Sequence, residues 1–166
     1  MKKLKVLFTF LIALIILSCS SDDNNNSDND PIVGVWKPIK EIETYNDNST
    51  IEFEYTACQQ RSRFTYNTNG TANIVEFVND EVTGDCVQRT EPVLTSASWE
   101  KIENGEYRLI TTHKYNVTSQ IYTTDKTPDV FEFENNNNTL SIGYNDDEII
   151  DGKQLKSYHT VFVRVE

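Results

Sequence analysis

The chain has 166 residues, with 15 basic against 26 acidic side chains and a formal net charge of −11 at pH 7. A chain this acidic repels phosphate backbones, which argues against nucleic acid as a partner, and the charge serves solubility. With 37% hydrophobic residues it can bury one core of ordinary size.

Lys2, Lys3 and Lys5 form a positive N-terminal region, and Leu4 to Leu17 is apolar apart from Thr9. This run is too short to cross a bilayer comfortably and has the form of a secretory signal peptide over residues 1–18. Ile16-Leu17-Ser18-Cys19 resembles a bacterial lipobox, in which the cysteine becomes the lipidated N-terminus of the mature chain. Several acyl chains hold a protein on a membrane where one alone is marginal. The plainer alternative is an ordinary secretory signal cleaved near Ser18 that leaves a spare thiol. Ser20, rather than Asp, follows the cysteine; in lipoproteins of Gram-negative bacteria that favours the outer membrane. The following Ser-Asp-Asp resembles a tract that directs some such lipoproteins to the cell surface.

Loss of residues 1–18 removes three lysines and no acidic residue, leaving 12 basic against 26 acidic side chains, or −14. Residues 19–30 are almost all Ser, Asp and Asn and have nothing to bury, so they read as a disordered tether ahead of a domain over 31–166. With Cys19 lipidated, Cys58 and Cys86 remain. In an oxidising compartment such a pair reads as a disulfide. The alternatives are two free thiols or a metal pair, but no further histidine or cysteine stands at zinc-ligand spacing.

The domain is rich in Thr, Val, Ile, Tyr and Phe, broken by Asn and Gly, which is strand composition punctuated by turns. In RFTYNTNGTANIVEF, Phe64 and Tyr66 alternate with Arg63 and Thr65, and Asn69-Gly70 suits a hairpin turn. Asn104-Gly105, Asn135 to Asn138 and Asp151-Gly152 mark further turns, the last before a strand over about Leu155–Val165. The pattern predicts an all-β, antiparallel up-and-down meander of about eight to ten strands, closing into a small barrel. A sandwich is the rival closure.

Gly34-x-Trp36 on the first strand resembles the lipocalin G-x-W signature. Cys58 followed by RFTYNTNGT, a second cysteine before a strand carrying Trp99, and a closing YHTVFVRVE with Arg164 are similar, in that order, to bacterial lipocalin-like lipoproteins. The chain is shorter than secreted lipocalins and lacks their middle motif and a C-terminal helix. The resemblance implies a barrel of about eight strands whose closing Arg164 packs on Trp36, and a small apolar ligand as cargo.

No enzyme chemistry is expected. There is no nucleophile elbow, no HExxH and no phosphate loop. His113 and His159 read as strand residues. Glu52, Glu54, Glu132 and Glu134 alternate as solvent-facing positions do. Asp147, Asp151 and Gly152 are loosely spaced like a calcium loop, but Ile149 occupies a ligand position, so neither metal nor cofactor is expected. The candidate ligand contacts are Tyr66, Trp99, Tyr107, Phe131, Phe133 and Tyr144. Tyr115 and Tyr122 could join them, or the aromatics could instead fill the interior as core. The expected partners are the membrane, through lipid, and a small apolar or amphipathic ligand. The alternative is a filled, non-enzymatic barrel whose outer surface docks an envelope protein.

Overall fold

The computed structural model describes residues 30–165. The signal peptide assigned to residues 1–18, Cys19 and the tether through residue 29 lie outside the described residues.

The described residues are all-β, with strands β1 (Gly34–Tyr45), β2 (Thr50–Glu54), β3 (Arg63–Tyr66), β4 (Thr71–Val75), β5 (Phe77–Asn79), β6 (Cys86–Gln88) and β7 (Val93–Lys101). They are followed by β8 (Tyr107–Lys114), β9 (Ile121–Lys126), β10 (Val130–Glu134), β11 (Thr139–Asn145), β12 (Ile149–Ile150) and β13 (Lys153–Arg164). The turn residues explain the breaks. Gly70 has φ 79°, and Asn135, Asn136 and Asn137 run through 51°, 56° and 62°, a left-handed stretch that asparagine tolerates better than other side chains.

One antiparallel sheet runs β10-β11-β13-β1-β3-β4-β7-β8-β9 and curls into a half-barrel. The first and last strands pair over their length, from Trp36 opposite Arg164 to Tyr45 opposite Leu155. Since β13 occupies one edge of β1, β2 and β3 lie end to end along the other, opposite Lys40–Thr44 and Gly34–Trp36. Between them the chain makes a 3-10 turn at Gln59–Arg61, beside a Cys58–Cys86 disulfide that ties it to the β5–β6 hairpin. The sequence pattern suggests eight to ten strands and the described residues form thirteen, because such interruptions divide single runs of alternation into two.

The two ends of the ladder, β9 and β10, are consecutive in the chain. Eight antiparallel steps separate them, so they run in the same sense, and Thr127–Asp129 joins them. Pro128 in that link has no N–H to donate, which breaks the ladder locally. Among the described residues β9 and β10 share no backbone pairing.

The concave face holds the core. Trp36, Ile32 and Leu140 are fully buried, and Tyr66, Trp99, Tyr107 and Phe162 nearly so. Phe64, Leu109, Phe131, Phe133 and Ile142 pack against them. Burying such a side chain contributes about 1.5–3 kcal/mol. Tyr107 stacks on Phe131 at 4.3 Å between ring centroids, and Phe64 meets Phe162 edge-on at 5.0 Å.

Candidate functional site

The aromatic core gathers at one end of the curled sheet, which it plugs. Trp36 lies at its centre, and its indole N–H donates to the Ile32 carbonyl at 2.7 Å. The Arg164 guanidinium caps the indole 4.2 Å from the ring centroid. Its three nitrogens donate to the carbonyls of Val33 (2.6 Å), Pro31 (2.5 Å) and Asn137 (3.0 Å). Burial lowers the Arg164 pKa. Gly34, with φ 141°, sits where the chain enters β1 from this plug. Beside it the Tyr107 hydroxyl donates to the Asp30 carboxylate, which also pairs with Lys101 at 3.1 Å.

Further along the concave face lies a cavity of about 200 Å³. Phe64, Ile74, Leu109, Ile142 and Phe162 form its apolar wall. Tyr66, Tyr144 and Tyr158 add phenol rings, and Ser98, Thr111, Thr124 and Thr160 add hydroxyls. Among the described residues no charged side chain lines it. It is bounded by β8 and β9 on one side and by β11 and β13 on the other, so it sits behind the unpaired β9–β10 edges. Burial raises the pKa of Tyr66, Tyr144 and Tyr158, so the phenols stay protonated.

The six aromatics singled out from sequence divide between these two regions. Tyr66 and Tyr144 line the cavity. Trp99, Tyr107, Phe131 and Phe133 belong to the plug, where Tyr107, Phe131 and Phe133 also border a shallow outer depression of about 430 Å³ beside Lys101 and Pro128. Tyr115 and Tyr122 stack at 5.6 Å on the outside, 41% and 37% exposed. Sequence reasoning passed over Tyr158, Thr160 and Phe162. Their spacing of two along β13 was the available signal.

A more polar hollow of about 290 Å³ opens where β4 and β7 diverge after sharing two residue pairs, Thr71–Ser98 and Ala72–Ala97. Glu76, Arg89 and His113 line it. His113 on β8 stacks on Tyr122 at 5.2 Å, and its buried Nδ1 has no hydrogen-bond partner. His159 on β13 lies opposite Gly143. Among the described residues no group of three or more His, Cys, Asp or Glu is placed to hold a metal ion. In the Asp147–Gly152 segment, the Asp146 carboxylate accepts the N–H groups of Asp147 and Glu148, and β12 pairs with β13.

Compared with protein-family models and with curated protein sequences, the chain matches neither a family model nor a curated sequence.

Proposed function

We propose that the protein is a lipid-anchored envelope lipoprotein of lipocalin-like type that binds a small apolar or amphipathic molecule and carries out no catalysis. The observation behind this reading is the uncharged, hydroxyl-rimmed cavity on the concave face. Ligand sites are typically apolar concavities with a few placed polar groups. Membrane attachment through Cys19, and residence in the outer membrane with exposure at the cell surface, rest on the N-terminal sequence.

The proposal includes a closed barrel. We read β2 with β3, and β9 with β10, as single passes, so that eight passes make the wall. The same sense of β9 and β10 and their three-residue link support this. Side chains span the unpaired edges: Tyr107 of β8 stacks on Phe131 of β10, and Lys126 of β9 lies 5.4 Å from the Tyr144 ring of β11.

A second reading is a filled module that docks an envelope protein. The packed plug and the exposed Val117, Ile121 and Tyr122 favour it. Mass spectrometry of protein gently extracted from membranes decides between them. A stoichiometric small organic molecule is the expected result. A co-purifying envelope protein with no small molecule would overturn the ligand-binding reading.

A further inference from the structure

Resting on that reading of the cavity, we infer that its ligand is a neutral amphiphile bearing a hydrogen-bond acceptor, such as a ketone or ester carbonyl, held by the phenols of Tyr66, Tyr144 and Tyr158. The cavity alone sets the size class: roughly 150 Å³ accommodates benzene, so about 200 Å³ suits a body of one to two rings.

Three features set the polarity. First, the phenols come from different strands, Tyr66 from β3 and the facing pair Tyr144 and Tyr158 from β11 and β13, yet they converge. The Tyr144 and Tyr158 rings lie 6.2 Å apart between centroids. Second, the protein does not use them: among the described residues none of these three hydroxyls is paired with another side chain, whereas those of Tyr45, Tyr55 and Tyr107 are. A protonated phenol on an apolar wall is a donor awaiting an acceptor. Third, among the described residues no cation lines the cavity; Lys126 reaches the Tyr144 ring, 5.4 Å from its centroid, but is not part of the lining. A carboxylate entering here would lose its water without gaining a cation, which is costly.

Three probes with one ring system separate the possibilities: acetylnaphthalene, ethylnaphthalene and naphthoate. They are titrated by calorimetry into the full mature chain carrying Cys19→Ser, which needs no detergent. Acetylnaphthalene is expected to bind about three- to tenfold more tightly than ethylnaphthalene, the worth of one neutral hydrogen bond. Naphthoate should bind most weakly. Tyr144→Phe with Tyr158→Phe should weaken acetylnaphthalene more than ethylnaphthalene and so shrink the preference for the ketone; each single variant serves if the pair fails to fold. Equal affinity for the ketone and the hydrocarbon would overturn the acceptor inference while the cavity reading stands. Tightest binding of naphthoate would overturn the neutral class. Binding of none of the three would overturn the ligand-binding reading itself.

Discussion

Trp36 and Arg164 face each other across the β1–β13 ladder, with the guanidinium carbon 4.2 Å from the indole centroid. The flat cation covers the ring while its edges bond three carbonyls. Lysine would keep the charge and lose both the stack and the fork. Arg164→Ala is expected to cost about 2–4 kcal/mol, and Arg164→Lys more than half of that. A double-mutant cycle with Trp36→Phe should give a coupling of about 0.5–2 kcal/mol. Strict additivity in urea unfolding would show that the stack contributes nothing.

Cys58 and Cys86 are bonded across 28 residues. A thiol titration of unfolded, unreduced protein carrying Cys19→Ser should therefore find no free thiol. Replacing both cysteines with alanine should cost about 3–4 kcal/mol in the chain-entropy account. The loss should fall first on the β5–β6 hairpin, which hydrogen exchange can locate.

Gly143 has no room for a side chain. A Cβ there would stand 2.2 Å from the Tyr158 carbonyl oxygen and 2.3 Å from the His159 Cβ. Backbone and a strand-held side chain cannot step aside, so Gly143→Ala should cost about 3 kcal/mol or more. Gly152→Ala is the control. Its Cβ would meet nothing within 4 Å, and only the left-handed φ of 78° resists it, at about 1–2 kcal/mol. Equal melting temperatures for the two variants would contradict this.

Tyr45, Tyr55, Tyr66, Tyr107, Tyr122, Tyr144 and Tyr158 have raised pKa values in the fold. Tyr45 rises to about 12, chiefly because its hydroxyl bonds the Glu43 carboxylate. The others rise chiefly through burial. A raised acid stays neutral in the fold and ionises first in the unfolded chain. The stabilisation is therefore whole below the ordinary tyrosine value of about 10 and drains away above it. Tyrosinate absorbance should appear in step with loss of circular dichroism as pH climbs past that value. Full tyrosine titration with the spectrum of the fold intact would contradict this.

The lipid anchor is tested in cells. Cys19→Ala should move the protein from the membrane to the soluble fraction. Unchanged fractionation would refute the lipobox reading.

Fold class was legible because alternation and turn chemistry are local. The Asn135–Asn138 run and Asn69-Gly70 name their own turns, and Glu132 and Glu134 are exposed beside Phe131 and Phe133, which pack inward. The division of the aromatics was not legible. A period of two tells which face a side chain takes, not its height along the strand. Tyr107 and Tyr144 both point inward, yet one joins the plug and the other the cavity. Height depends on register between strands far apart in sequence. Gly143 was missed for the same reason, since its neighbour is His159. Strand β2 shows alternation misleading: Ile51 and Phe53 are exposed along with Glu52 and Glu54, because among the described residues β2 pairs with β1 alone.

Asp30 is clasped by Tyr107 and Lys101 at the plugged end, and Arg164 brings the last strand to the same place. The chain therefore enters the domain at its plugged end, and the cavity lined by Tyr144 and Tyr158 lies further along the sheet. In the lipid-anchored reading proposed above, the plug would be the end next to the anchor and the cavity would lie beyond it, so the path of a ligand to the cavity would not cross the attachment point.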